Sequence, residues 1–360
     1  MRKVLLGVGG AVALAVVGVG LVAGAGDGML GMDHSATTVA GSAGATAEGM
    51  ASEDMGGHDM SPVSTTGVES AEPGAEGGRP LPGTRRRGEK VFKLAAAPVR
   101  WTIGDGATVG ALAYNGQIPG PAIRARVGDR LRIEVTNDLD EPTSVHWHGL
   151  AVPNAMDGAG GVTQPNIASG ETFTYRFRVT QPGTFFYHSH TAADRQVALG
   201  LSGVLIVEGD PDPSVAADIP MMLQEWRITA DGNVPAMDYD GSLPNWFTLN
   251  GKAYPDTRVI TVKRGQRVRI RFIGAGQFAH PMHIHGGPFR IVATDGNPVP
   301  RAAQLTKDTV LVAPGERYDV IWTAQRAGTW LVHCHILHHT TNDGREVKGG
   351  GGLTTAIRVV

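Results

Sequence analysis

Gln181-Pro-Gly-Thr-Phe-Phe-Tyr-His188-Ser-His190 and Arg326-Ala-Gly-Thr-Trp-Leu-Val-His333-Cys334-His335 read as one segment written twice. Each has Gly-Thr followed by an apolar, aromatic-rich run and a histidine pair, the signature of a strand that starts at a turn. A second match precedes each: Ala125-Arg-Val-Gly128-Asp-Arg-Leu-Arg-Ile-Glu134 against Val262-Lys-Arg-Gly265-Gln-Arg-Val-Arg-Ile-Arg271. Gly128 lies 18 positions before His146, and Gly265 lies 18 positions before His283. The chain is therefore an internal duplication. Between the matches, Arg130–Val135, Thr172–Val179, Gly203–Val207, Val259–Val262, Arg267–Phe272 and Tyr318–Thr323 show the β-branched alternation of strands. No helical periodicity of useful length occurs, so the expected fold is all-β, a pair of antiparallel sandwiches spanning about residues 91–210 and 211–360.

The first quarter of the chain is different. Arg2-Lys3 and the apolar run Val4–Ala25, ending in Ala23-Gly-Ala25, read as an export signal, or as a membrane tether if the run is not cut. Export, to a secreted, periplasmic or cell-surface location, is the expectation either way. Residues 26–90 are rich in Gly, Ala, Ser, Thr, Glu and Pro without apolar periodicity, the composition of a disordered tail. Met29, Met32, His34, Met50, Met55, His58 and Met60 lie in it; biased composition explains them, and so does a copper-collecting tail. Net charge is −2 and no basic patch stands out, which argues against a nucleic-acid partner. One cysteine excludes an internal disulfide.

Eleven of the 13 histidines fall in four clusters: His146-Trp-His148, His188-Ser-His190, His280-Pro-Met-His283-Ile-His285, and His333-Cys334-His335 with His338-His339. Residues i and i+2 of a strand share a face, so each His-X-His pair can present two imidazoles to one site. A single such pair is usually a surface feature or a zinc site; four at repeat-related places are not. Imidazoles with a lone thiolate suit copper. On the repeat register, His280, Cys334 and His339 of the second half stand opposite Thr143, Ser189 and Asp194 of the first. The first half thus keeps four paired histidines and lacks the other three donors. Two nitrogens and a thiolate are the donors of a trigonal blue-copper centre, and the other eight histidines are enough for three more coppers. Cys334 as a nucleophile would leave eight histidines unexplained, and zinc throughout would leave no reason for the thiolate to sit between two of them.

The four clusters, in this order, resemble the copper-binding segments of the multicopper oxidases, and the two-domain laccase-like branch fits best. The resemblance covers roughly residues 91–360 and implies two cupredoxin-like Greek-key sandwiches. Carried over by residue, it makes His280, Cys334 and His339 the type 1 site, with His339 chosen over His338 because the family's histidine falls five positions after the cysteine. It places His146 and His283 on the type 2 copper. One type 3 copper would take His148, His188 and His335, and the other His190, His285 and His333, four coppers in all. It further implies one-electron oxidation of a small reducing donor (a phenol, aromatic amine or metal ion) coupled to reduction of dioxygen to water. Two-domain members close the trinuclear cluster between subunits of a homotrimer, so residues 146–190 of one subunit are expected to face 283–335 of the next.

The chain departs from the family pattern after His339. Gly344 stands where an axial Met, Leu or Phe is common, and Asn342–Gly352 reads as an insertion that leaves Leu353 to take the axial place without ligating. Reduction of dioxygen consumes protons, and Asp157 and Asp194 are the candidate suppliers, although either also suits a loop cap. His280 and His339 are the expected entry points for the donor's electron. Two rivals are weighed. A two-domain copper nitrite reductase is disfavoured by a cysteine in the second half and by eight histidines. A copper store or tolerance protein would have no use for a His-Cys-His segment.

Overall fold

A computed structural model describes residues 59–71, 78–209, 214–236 and 243–360. The apolar run Val4–Ala25, the tail residues Met29 to His58 and the junction near residue 210 lie outside the described residues. No described helix is long and apolar enough to cross a membrane.

The regular secondary structure is nearly all strand and forms two cupredoxin-like sandwiches. In the first, one sheet runs Thr84–Arg86, Glu89–Gly104, Arg130–Asn137, Thr172–Arg178, with Ala107–Tyr114 also on Glu89–Gly104. The facing sheet runs Gly120–Arg126, Ser202–Glu208, Gly183–Ser189, Val145–His148. Alternation closes a core around Trp147, Tyr175, Phe185 and Tyr187. The second sandwich repeats the plan, with Ala217–Thr229, Arg267–Gly274, Arg317–Thr323 and Phe289–Thr294 on one side. Ile260–Val262, Thr354–Val359, Gly328–Cys334, His280–Ile284 and Thr309–Val312 form the other.

Two expectations need correction. The sheets are mixed: Glu89–Gly104 pairs parallel with Arg130–Asn137, and Ala217–Thr229 pairs parallel with Arg267–Gly274. Each remaining sheet also holds one parallel pair, Gly120–Arg126 with Ser202–Glu208 and Ile260–Val262 with Thr354–Val359. Such pairs follow when successive strands cross between the two layers. The folded chain also begins before residue 91, since Thr84–Arg86 makes a hairpin with Glu89–Val91. Val63 packs on the first core, and the Ser61 carbonyl accepts a bond from Arg195 at 2.5 Å.

The sandwiches bury apolar surface against each other. Trp101, Ile103 and Ile118 meet Trp226, Trp246 and Ala253, and Phe186 and Ile206 meet Met222 and Ile273. Polar cross-links reinforce the contact, among them Thr184 Oγ1 donating to Asp319 at 2.6 Å and Asn233 Nδ2 donating to the Gly110 carbonyl at 3.0 Å.

Candidate metal centres

Strand parity decides where each donor points. In Gly328–Cys334 the cysteine side chain turns inward and is fully buried, while His333 and His335, on either side, turn outward. The paired strand His280–Ile284 behaves likewise: His280 and Met282 face the core and His283 faces out. One sheet therefore carries two donor sets on opposite faces, with Cys334 joined to both neighbours by two peptide bonds.

On the inner face, His280 Nδ1 lies 3.1 Å from His339 Nδ1, and Cys334 Sγ lies 3.8 Å from the first and 3.6 Å from the second. His339 reaches this position from the short helical turn Leu337–Thr340, its ring stacked on Phe247 at 4.1 Å between centroids. Burial pushes the Cys334 thiol up to about 12, and the charge of Glu225 adds to that while the Ile336 N–H opposes it. Burial likewise drives His339 down to about 3, helped by His280 and His338. Leu353 is buried beside them; its N–H donates to the His339 carbonyl, and its own carbonyl accepts from the Cys334 N–H at 3.0 Å. Gly344 is exposed in a turn with φ 73°.

The outward histidines form two separate quartets. In the first sandwich His146 is paired across the sheet with His188, and in the second His283 with His333, the same register in both halves. The shortest nitrogen separations are His148 Nδ1 to His188 Nε2 at 3.3 Å and His285 Nε2 to His333 Nε2 at 3.0 Å. Among the described residues, every ring contact between two of these eight histidines lies within one quartet or the other. Four rings have a fixed tautomer. His146, His188, His283 and His333 each turn Nδ1 to a backbone carbonyl (Asp157, Ser189, Asp308 and Cys334) at 2.7–2.8 Å, which leaves Nε2 bare for a metal. Burial holds His188 down to about 3 and His148 to about 4, and lowers His285 and His333. The first quartet lines a cavity of about 440 Å³ with Asp194, and His283 and His285 of the second line an open groove with Thr306–Thr309.

The comparisons follow the same division. Models of the multicopper oxidase family match residues 95–212 and 229–344. The chain belongs to the multicopper oxidases. It is 36% identical to the blue copper oxidase of Nitrosomonas europaea, covering 75% of this chain and 85% of that one with a TM-score of 0.70. It is 33% identical to the multicopper oxidase MmcO of Mycobacterium tuberculosis over 72% of this chain and 56% of that protein. With Laccase-2 of Botryotinia fuckeliana the figures are 36%, 64% and 44%. The chain thus spans about half the length of these two relatives.

Multicopper oxidases bind coppers of types 1, 2 and 3, four in all, and the donors fit them. A first-row cation holds nitrogen and sulfur at about 2.0–2.3 Å, so three donors in a trigonal plane stand about 3.5–4 Å apart. In the inner set the two sulfur–nitrogen separations, 3.6 and 3.8 Å, have that spacing, and the nitrogen–nitrogen separation of 3.1 Å is slightly shorter. The thiol must ionise to ligate, and a bound cation enforces this despite burial.

Some readings change in the structure. His280 and His339 do not reach the surface: they are 0% and 4% exposed. The exposed neighbour is His338, edge-on to His339 with centroids 4.4 Å apart. The third position of the first half is occupied by Gln196 rather than Asp194. Buried Gln196 Oε1 accepts from Thr143 at 2.8 Å and Ser189 at 2.5 Å, a hydrogen-bonded knot where the second half has donors. Asp157 sits against His146, its Oδ1 3.6 Å from Nδ1. Asp194 lines the first quartet's cavity, and its carbonyl accepts from Gln277 Nε2 at 3.2 Å. Sequence reading missed Glu225, which touches His280. Its signal was a lone carboxylate inside the apolar run Met221–Trp226.

Proposed function

We propose that this multicopper oxidase couples one-electron oxidation of a phenol, aromatic amine or metal ion to four-electron reduction of dioxygen to water. When bound, copper supplies one-electron acceptance at the inner site and oxygen reduction at the outer ones. In this reading His280, Cys334 and His339 would hold type 1 copper, with Leu353 as the non-ligating side chain buried beside them, and His146 and His283 would hold type 2. His148, His188 and His335 hold one type 3 copper, and His190, His285 and His333 the other. The observation that carries the proposal is the parity of Gly328–Cys334, which turns Cys334 to one face and His333 and His335 to the other. Cys334 and its two neighbours thus join the inner donor set to the outer one along a single continuous stretch of backbone.

The proposed donor surface is His338 with Leu337, which is 69% exposed. His338 stands edge-on to His339, and the exposed side chains of Leu337 and His338 leave room for donors of many shapes. Asp157 and Asp194 are the proposed proton suppliers, supported by their places beside His146 and in the first quartet's cavity. Each quartet supplies only four of the eight histidines and opens outward, which supports a homotrimer whose quartets meet between subunits. Export, with Arg2–Ala25 as signal or tether, completes the proposal; sequencing the mature N-terminus tests it.

The experiment is oxygen uptake by copper-loaded protein given a simple phenol, with released peroxide assayed. Uptake without peroxide supports the oxidase. A blue, fully loaded protein that takes up no oxygen contradicts it.

A further inference from the structure

Glu225 is 4% exposed at the end of the run Met221-Met-Leu-Gln-Glu225-Trp226. A carboxylate placed there needs partners, because burying an unpaired charge is costly. It has two. Oε1 meets Nε2 of His280, and Oε2 accepts the backbone N–H of Gln277 at 2.9 Å. The residue before Gln277 is Gly276, where an added Cβ would collide with both carboxylate oxygens. The absence of a side chain at that one position lets the carboxylate reach the ring.

A carboxylate can only accept, so Nε2 of His280 carries the hydrogen and Nδ1 keeps its lone pair. Nδ1 is the atom 3.1 Å from His339 Nδ1 and 3.8 Å from Cys334 Sγ. We propose that Glu225 is the positioning residue of the type 1 site: it fixes the His280 tautomer and, by its charge, lowers the potential of the copper held there. The inference rests on the type 1 reading of His280, Cys334 and His339. A negative charge one imidazole away favours the divalent over the monovalent ion, and a ring bonded to a carboxylate is the more basic ligand. Glu225 therefore opposes the rise in potential that a non-ligating Leu353 brings.

The test uses the full copper-loaded chain and the variants Glu225→Gln and Glu225→Leu. The potential is read by redox titration of the thiolate-to-copper absorption band, together with copper affinity at that site. Glu225→Gln keeps an acceptor and loses the charge, so the band remains and the potential rises. Each tenfold loss of preference for the divalent ion reads as about 59 mV in a one-electron couple. Glu225→Leu loses the acceptor too, and its copper affinity falls about 10–100-fold. Variants that fold normally yet keep both potential and affinity would reduce Glu225 to packing and overturn the inference. If Glu225→Leu does not fold, an unmoved potential in Glu225→Gln overturns it alone. A wild-type protein that loads copper without the band overturns the type 1 reading and this inference together; a blue wild type with unmoved variants overturns only the inference.

Discussion

Acidification of the copper-free protein from pH 7 to pH 5 should cost it several kcal/mol of stability, through three histidines held neutral by burial. In the fold His188 and His339 are held down to about 3 and His148 to about 4, against about 6.5 in an unfolded chain. A depressed folded value means that the unfolded chain takes up protons first. The stability is thus complete above pH 6.5 and is lost as pH falls towards the folded values. At pH 5 an unfolded histidine is nearly all protonated and these three are nearly all neutral, a difference of about 2 kcal/mol for a fully enclosed ring. His339 is enclosed, whereas His148 and His188 are half-buried and count for about half each, for a total of about 4 kcal/mol. Urea unfolding of copper-free protein at several pH values measures it, read on the first transition because two packed sandwiches need not unfold together. Copper-loaded protein should lose far less over the same range, because bound rings stay neutral until the metal leaves. His188→Ala should flatten the slope of the copper-free protein by about 1 kcal/mol. A slope equal in copper-free wild type and His188→Ala would refute the reasoning.

Three further outcomes follow from the geometry. His338→Ala should slow donor oxidation several-fold while the type 1 absorption and potential stay in place, in steady-state kinetics with two phenols of different size; an unchanged rate with both would remove His338 from the donor surface. Leu353→Met should lower the type 1 potential by redox titration, and no movement would take Leu353 out of the axial place. Trp226→Ala should destabilise the protein by about 3–5 kcal/mol, since Trp226 is fully buried between the sandwiches with Nε1 bonded to Thr248 at 2.8 Å; a loss under about 1 kcal/mol by denaturation would contradict the packing account.

Much of the site was legible because its logic is strand parity and repetition. His-X-His is a period-two pattern, and two halves with matching spacing fix which residues share a face. What the sequence concealed depends on contacts between segments far apart in the chain. Glu225 meets His280 across 55 residues; its apolar neighbours mark the carboxylate as buried, but nothing local names its partner. Gln196 displaced Asp194 because the four-residue helix Ala193–Gln196 rotates the chain after His190, whereas the repeat register assumed extended backbone. The entry point was misjudged since exposure of a ligand ring is set by what packs over it, here Phe247 on His339. The mixed sheets are a property of crossover order, to which alternation along single strands is blind.

The central claim, that a working oxygen site needs two copies of the chain, is tested most directly by complementation. One variant carries His188→Ala and His190→Ala, the other His333→Ala and His335→Ala, so that each is inactive alone for a different quartet. Unfolded together and refolded with copper, they should recover oxygen uptake, because an intact first quartet can meet an intact second quartet across an interface. Random mixing at equal amounts restores about a quarter of the junctions in a cyclic assembly. Recovery near that level is the expected result. A mixture as inactive as its parts, at a concentration where wild type refolds as active oligomer, would contradict the account.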